Sequence, residues 1–188
     1  MATPTTKAAL DELVGEGSWE YPRNWGQFLV SFPNPGTKTW TVPHNWHTDW
    51  PYRASPGGPA GALVFHFLSR VPPGHGGTVA LEGSPGIVRG FVAKRPQVKT
   101  EKMKVTRLAL MNSDPWLKAL NSDPDDSTDR VERFMETESR VGDVPVRVVE
   151  LVGDPGDIVI GHPWLLHSGA ANCGTQPRFM LVQRIRRT

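Results

Sequence analysis

Cysteine is nearly missing from this chain: Cys173 is the only one among 188 residues. No intrachain disulfide can form, so packing and hydrogen bonds must hold the fold, and a reducing, cytoplasmic setting is favoured. Long hydrophobic runs are missing too. Nowhere do the roughly eighteen consecutive apolar residues of a bilayer span occur, and the opening MATPTTKAALDELVG lacks the apolar stretch of a signal peptide. A soluble protein without a membrane partner is expected. Charge of one sign is scarce as well, with 21 Lys and Arg against 19 Asp and Glu. The small excess sits in Arg184, Arg186 and Arg187, a basic tail and not the broad cationic face of a nucleic-acid-binding protein.

What the chain has in quantity is glycine (19) and proline (18), spread without period between short apolar runs. That pattern suits a mainly β fold with many turns and argues against a helix bundle. With 38% hydrophobic side chains, residues 1–188 read as a single domain with a sizeable core. β-Branched and aromatic residues mark strands at 27–32, 62–71, 78–83, 144–153, 157–162 and 178–185. PPGHGG before Thr78 and GDPGD before Ile158 supply turns between them. A short helix is expected over 7–14, capped by Thr5 or Thr6 and stopped at Gly15. Between 106 and 140 the period changes. Ser113-Asp114-Pro115 reads as a helix start, and Val131, Phe134 and Met135 fall on one stripe, so a helical insertion is expected there.

The stretch WHTDW (46–50) places two ionisable groups among tryptophans. On a strand, residues i and i+2 share a face, so His47 and Asp49 point together and Thr48 points away. That is half of a metal site, although a solvated loop or a simple His–Asp hydrogen bond fits the same three residues. The segment 153–181 offers further polar groups: His162, His167 and Arg178. Two imidazoles and one carboxylate form the facial triad of non-haem Fe(II) oxygenases, which leaves positions for a bidentate 2-oxo acid and for oxygen. With one carboxylate such an Fe(II) centre keeps a single positive charge, and a 2-oxoglutarate dianion makes it singly negative. One guanidinium restores neutrality, and its fork fits a carboxylate with two hydrogen bonds. Arg178, Met180 and Val182 would share one face of the last strand, with the cation at the end of an apolar pocket.

Taken together, HTD (47–49), GGTVALEGS (76–84), GDIVIGHPWLLHSGAAN (156–172) and Arg178 resemble the phytanoyl-CoA dioxygenase family of Fe(II)- and 2-oxoglutarate-dependent oxygenases. In that family an Asn follows the distal histidine by five residues and the cosubstrate arginine follows it by eleven. His167, Asn172 and Arg178 fit both offsets, whereas His162 fits neither. The resemblance implies a double-stranded β-helix, the cupin-like jelly roll. It implies Fe(II) on His47, Asp49 and His167, 2-oxoglutarate on Arg178, and O2 as the other cosubstrate. His66 falls roughly where the family has a side chain beside 2-oxoglutarate, and Thr78 is a second candidate contact. A partly buried histidine describes His66 equally well, and for Thr78 an ordinary strand start beside a turn is the preferred reading. Related halogenases replace the carboxylate by a small residue, so Asp49 implies oxygenation, most simply hydroxylation with release of succinate and CO2. Desaturation, cyclisation and epimerisation are chemical alternatives, and a non-catalytic cupin-like binding module is the alternative of another class.

The chain also departs from the family pattern. Residues 1–45 are expected to form a reduced N-terminal cover, with part of the usual enclosure absent or supplied by a partner; EGSP (82–85) lacks the usual histidine, and Gly169 stands where a serine is common. A small-molecule substrate is expected, with Gln27, Trp50 and Tyr52 as pocket candidates and specificity residing in 15–46, 50–62 and 106–140. Ser84 in GSPG and the lone Cys173 carry no nucleophile signature, which argues against a hydrolase.

Overall fold

The computed structural model describes residues 3–22, 24, 26–37, 39–52, 60–124 and 129–188. The chain begins with helix α1 (Pro4–Val14) and strands β1 (Trp19–Glu20), β2 (Gln27–Ser31), β3 (Gly61–Phe67) and β4 (Thr78–Glu82). Three helices follow, α2 (Ser84–Lys94), α3 (Met103–Met111) and α4 (Pro115–Leu120), then a π-helical turn at Glu132–Glu136. Strands β5 (Ser139–Val141), β6 (Val144–Leu151), β7 (Ile158–Gly161), β8 (His167–Gly169) and β9 (Arg178–Arg187) complete the chain. Among the described residues these strands form two antiparallel sheets. One runs β1-β9-β3-β7 with β2 also on β9, and the other runs β5-β6-β4-β8. The fold is thus mainly β, a sandwich of two sheets with short helices. No helix among the described residues is long and apolar enough to cross a membrane.

Strand alternation assigns each face. In β3 every residue is buried because both sides are covered. Leu63, Phe65 and Phe67 point between the sheets, where they meet Trp50, Met180 and Val182. Ala62 and Val64 point outward onto Leu10 and Val14 of α1, with Trp19 and Ile185. Full burial of a side chain such as Leu10 contributes about 2 kcal/mol, so α1 is held by its apolar stripe far more than by propensity. Its cap is Thr3, whose Oγ1 accepts from Thr6 N at 3.1 Å, two or three residues before the expected cap. Pro4 explains the shift, since proline is favoured in the first turn, where its missing N–H costs nothing.

The other sheet carries the remaining helices on its outer face. Val79 and Leu81 of β4 and Val146 and Val148 of β6 pack with Val88, Leu110, Leu117 and Phe134. Asp114 caps α4 as expected, its Oδ1 accepting from Trp116 N at 2.8 Å. Two expectations need correction. Helicity begins earlier than the expected 106, because α2 occupies 84–94. Gly83, in the left-handed region at φ 82°, turns β4 directly into α2. Ser84 then bridges the sheet, donating to Leu81 O at 2.7 Å and accepting from Leu166 N at 2.9 Å. Helicity also ends earlier, since Ser139–Val141 pairs with Val144–Val146 as a hairpin. Phe134 of the expected stripe is fully buried and meets Trp116 edge-on at 5.1 Å, while Met135 is only half-buried. Residues 125–128 of that stretch lie outside the described residues.

Candidate metal centre

His167 opens β8, and its main chain is bridged to His47. His47 N donates to His167 O at 3.0 Å, and His167 N donates to His47 O at 2.9 Å. This bridge places both rings on one side with centroids 4.4 Å apart. Asp49 arrives by a bend. Thr48 Oγ1 donates to Trp50 O at 3.0 Å, and this bend, not strand alternation, turns the carboxylate back towards the imidazoles. Asp49 Oδ1 lies 4.0 Å from Nε2 of His47 and 4.0 Å from Nε2 of His167. All three donor atoms lie within 4.8 Å of one another. Neighbouring ligands of an octahedral ion at about 2.1 Å stand about 3 Å apart, so closing on a metal takes about 1 Å of side-chain movement. The cluster can hold a metal ion, and its donor set of two imidazoles and one carboxylate suits a first-row divalent metal.

The surrounding hydrogen bonds prepare these donors. His167 Nδ1 lies 3.0 Å from Leu165 O, and a carbonyl only accepts, so Nδ1 carries the proton and Nε2 offers its lone pair to the cluster. Burial pulls the His167 pKa below the ordinary histidine value, against the Leu165 hydrogen bond and the Asp49 carboxylate. A neutral ring is the form a metal requires. Arg184 Nε donates to Asp49 Oδ2 at 3.2 Å, which occupies one carboxylate oxygen and leaves Oδ1 facing the two rings. The sequence reading missed Arg184 and assigned it to the basic tail. The available signal was parity: it lies on the same face of β9 as Arg178, Met180 and Val182.

That face lines the space between the sheets. Met180 and Val182 pack with Phe65, which meets the His167 ring edge-on at 5.6 Å. Arg178 sits at the opposite end from Arg184 and is 5% exposed. Its Nε donates to Gly76 O at 2.6 Å, and it has no ion-pair partner among the described residues. Burial pulls its pKa down, the direction expected of a guanidinium with no anion beside it. Gly76 is held at φ 79°, and a Cβ there would come within 2.6 Å of Ser31 Oγ. Only glycine lets its carbonyl reach the guanidinium without displacing β2. Asn172 fastens the same corner, its Nδ2 donating to Ser31 O and to Gln176 O, each at 2.9 Å.

The structure brings some of the remaining candidates towards this space and leaves others away from it. Thr78 is buried on the face of β4 that carries Ala80, the cross-strand partner of His167. Trp50 is buried among Phe65, Met180 and Val182. Gln27 pairs with Val182 and lines an open cleft with Arg184 and Tyr21. Tyr52 instead packs behind the other sheet, in the cluster with Leu110 and Phe134. His66, expected beside the cosubstrate, has the parity of Ala62 and Val64 and faces the α1 side, with Nε2 2.9 Å from Gln183 Oε1. His162 closes a turn, its Nδ1 accepting from Trp164 N at 3.0 Å, and stays out of the cluster.

Burial pulls the His66 pKa below the ordinary 6.5, against the Gln183 hydrogen bond, and this sets a pH dependence. Above 6.5 the ring is neutral in both folded and unfolded chains. Below it the unfolded chain takes up a proton that the folded chain resists, so stability falls as pH drops towards the folded value. Urea unfolding at about pH 7.5 and about pH 5.5 should show that loss, and His66→Gln should reduce the slope. A residual slope is expected from His162 and His167, which burial shifts in the same direction. An unchanged slope in the variant contradicts the assignment.

No known protein family and no curated protein matches the chain in sequence.

Proposed function

We propose that this protein is a non-haem Fe(II)- and 2-oxoglutarate-dependent dioxygenase, built on a double-stranded β-helix, that hydroxylates a small molecule. One observation carries the reading: the His47–Asp49–His167 cluster shares the space between the sheets with a buried arginine that has no carboxylate partner among the described residues. A buried cation without a counter-ion is costly, and the distal carboxylate of 2-oxoglutarate would satisfy it with the two-pronged geometry a guanidinium favours. The antiparallel two-sheet sandwich is compatible with a jelly roll, and the resemblance at HTD and at His167, Asn172 and Arg178 points the same way.

In this reading His47, Asp49 and His167 hold the metal on one face. Bound iron supplies oxygen activation, with one oxygen atom of O2 entering succinate, the other entering the substrate as hydroxyl, and CO2 leaving. The chain's own residues position and exclude. Arg184 keeps the second carboxylate oxygen of Asp49 occupied, so one oxygen is presented to the metal. Arg178 and Gly76 O fix where the cosubstrate's far end lies. Trp50, Phe65, Met180 and Val182 keep water from the space between, which strengthens every charge interaction there.

Anaerobic titration with Fe(II) and 2-oxoglutarate tests the reading. The weak visible charge-transfer absorption of a 2-oxo acid chelated to Fe(II) is expected in the wild type. Arg178→Ala should need at least about tenfold more 2-oxoglutarate for the same absorption, the loss of a bidentate charged pair. Iron binding without any such band would move the protein to the non-catalytic binding class.

A further inference from the structure

One face of helix α3 lines a cavity that reaches His47 of the metal cluster, and its composition there is unusual. Lys104, Arg107, Leu108 and Met111 recur at the i, i+3, i+4 and i+7 spacing of one helix face. Together with Trp46, His47 and Ser168 they line a cavity of about 420 Å³. This is the size range of small-molecule sites, and His47, whose side chain is 40% exposed, is part of its lining. Neither Lys104 nor Arg107 has an ion-pair partner among the described residues. Arg107 is half-buried and Leu108 is 57% exposed, so the face offers cations beside an uncovered apolar side chain.

Charge at the centre sharpens the point. Once Arg184 on Asp49 is counted, a site loaded with Fe(II) and 2-oxoglutarate keeps one positive charge before Lys104 and Arg107 are added. A neutral or cationic occupant would leave these cations uncompensated in a partly desolvated pocket. The neighbouring arginine cleft is the competing location. It touches the centre only through Arg184, already engaged by Asp49, and Glu20 within it offsets one of its two other arginines.

We propose that the cavity between α3 and His47 binds the substrate's anionic group, so that the substrate is a small molecule carrying a carboxylate or phosphate beside an apolar portion. Calling the occupant a substrate rests on the oxygenase reading; the anion site itself does not. Lys104 and Arg107 hold the anion, and Leu108 covers the apolar part.

Calorimetric titration of the metal-free full chain with benzoate, phenyl phosphate and uncharged benzyl alcohol tests this. Both anions should bind and the alcohol should not, with their relative affinities separating carboxylate from phosphate recognition. Lys104→Gln/Arg107→Gln should weaken the anions by about tenfold or more, while Arg186→Gln in the neighbouring cleft should leave them unchanged. The variants alter half-buried or exposed side chains, and thermal melting checks that they fold. No anion binding up to about 10 mM, equal binding of the alcohol, or loss in Arg186→Gln instead would overturn the proposal. Anion binding without an Fe(II)–2-oxoglutarate absorption band removes the oxygenase reading alone. The band without anion binding removes only this one.

Discussion

His167→Ala is expected to abolish stoichiometric metal binding and to leave the protein folded. The ring supplies one of three donors within 4.8 Å, and the two that remain would hold a divalent ion far more weakly. Loss of even an outer hydrogen bond to a metal ligand typically costs 10- to 100-fold in affinity, so loss of the ligand itself should cost at least about a hundredfold. The fold survives because the bridge to His47 is made by main-chain atoms, which alanine keeps. Metal content after anaerobic Fe(II) loading, together with Co(II) absorption, provides the measurement. His162→Ala is the control: it should retain the metal, since that ring only closes a turn. Metal lost with His162 and kept without His167 would refute the site.

The second large effect is on stability and lies away from the cluster. Arg130 is 5% exposed, and its guanidinium donates to Val42 O at 2.8 Å, Pro43 O at 3.2 Å, Ala119 O at 3.2 Å and Leu120 O at 2.6 Å. It also lies over the Phe134 ring at 4.9 Å. This side chain joins the segment leading into WHTDW to the end of α4. Arg130→Leu would leave several buried carbonyls without donors, a loss of about 3–5 kcal/mol. For a chain of this size that lowers the melting temperature by roughly 6–20 °C. Arg130→Lys should recover only part, since an ammonium cannot reproduce a planar fork reaching several carbonyls. A melting temperature within about 2 °C of the wild type for Arg130→Leu contradicts this role.

Legibility of the fold followed how local each signal is. β3, β4, β6, β7 and β9 were readable because β-branched and aromatic residues fill them and glycine or proline turns bound them. The start of α4 was readable because Asp-Pro caps a helix by contacts within three residues. α2 was not, since Gly83-Ser84-Pro85-Gly86 is turn chemistry until Ser84 finds Leu81 O and Leu166 N, and Leu166 lies on a remote segment. β5 was hidden for the same reason: three residues carry little strand signal without β6 beside them.

In the site, the sequence by itself determined the donor types. His-x-Asp, the later histidine and the following arginine name the chemistry because imidazole, carboxylate and guanidinium have fixed charge and hydrogen-bond geometry. Tertiary structure decided which groups meet. The bridge of His47 to His167 selects that ring over His162, and the bend at Thr48 brings Asp49 round to it. The register of β9 gives Asp49 its Arg184, and the parity of β3 turns His66 to the other side. These are non-local facts: a shift of one residue in strand pairing moves every side chain to the opposite face, and no short stretch of sequence records which register the distant partner imposes.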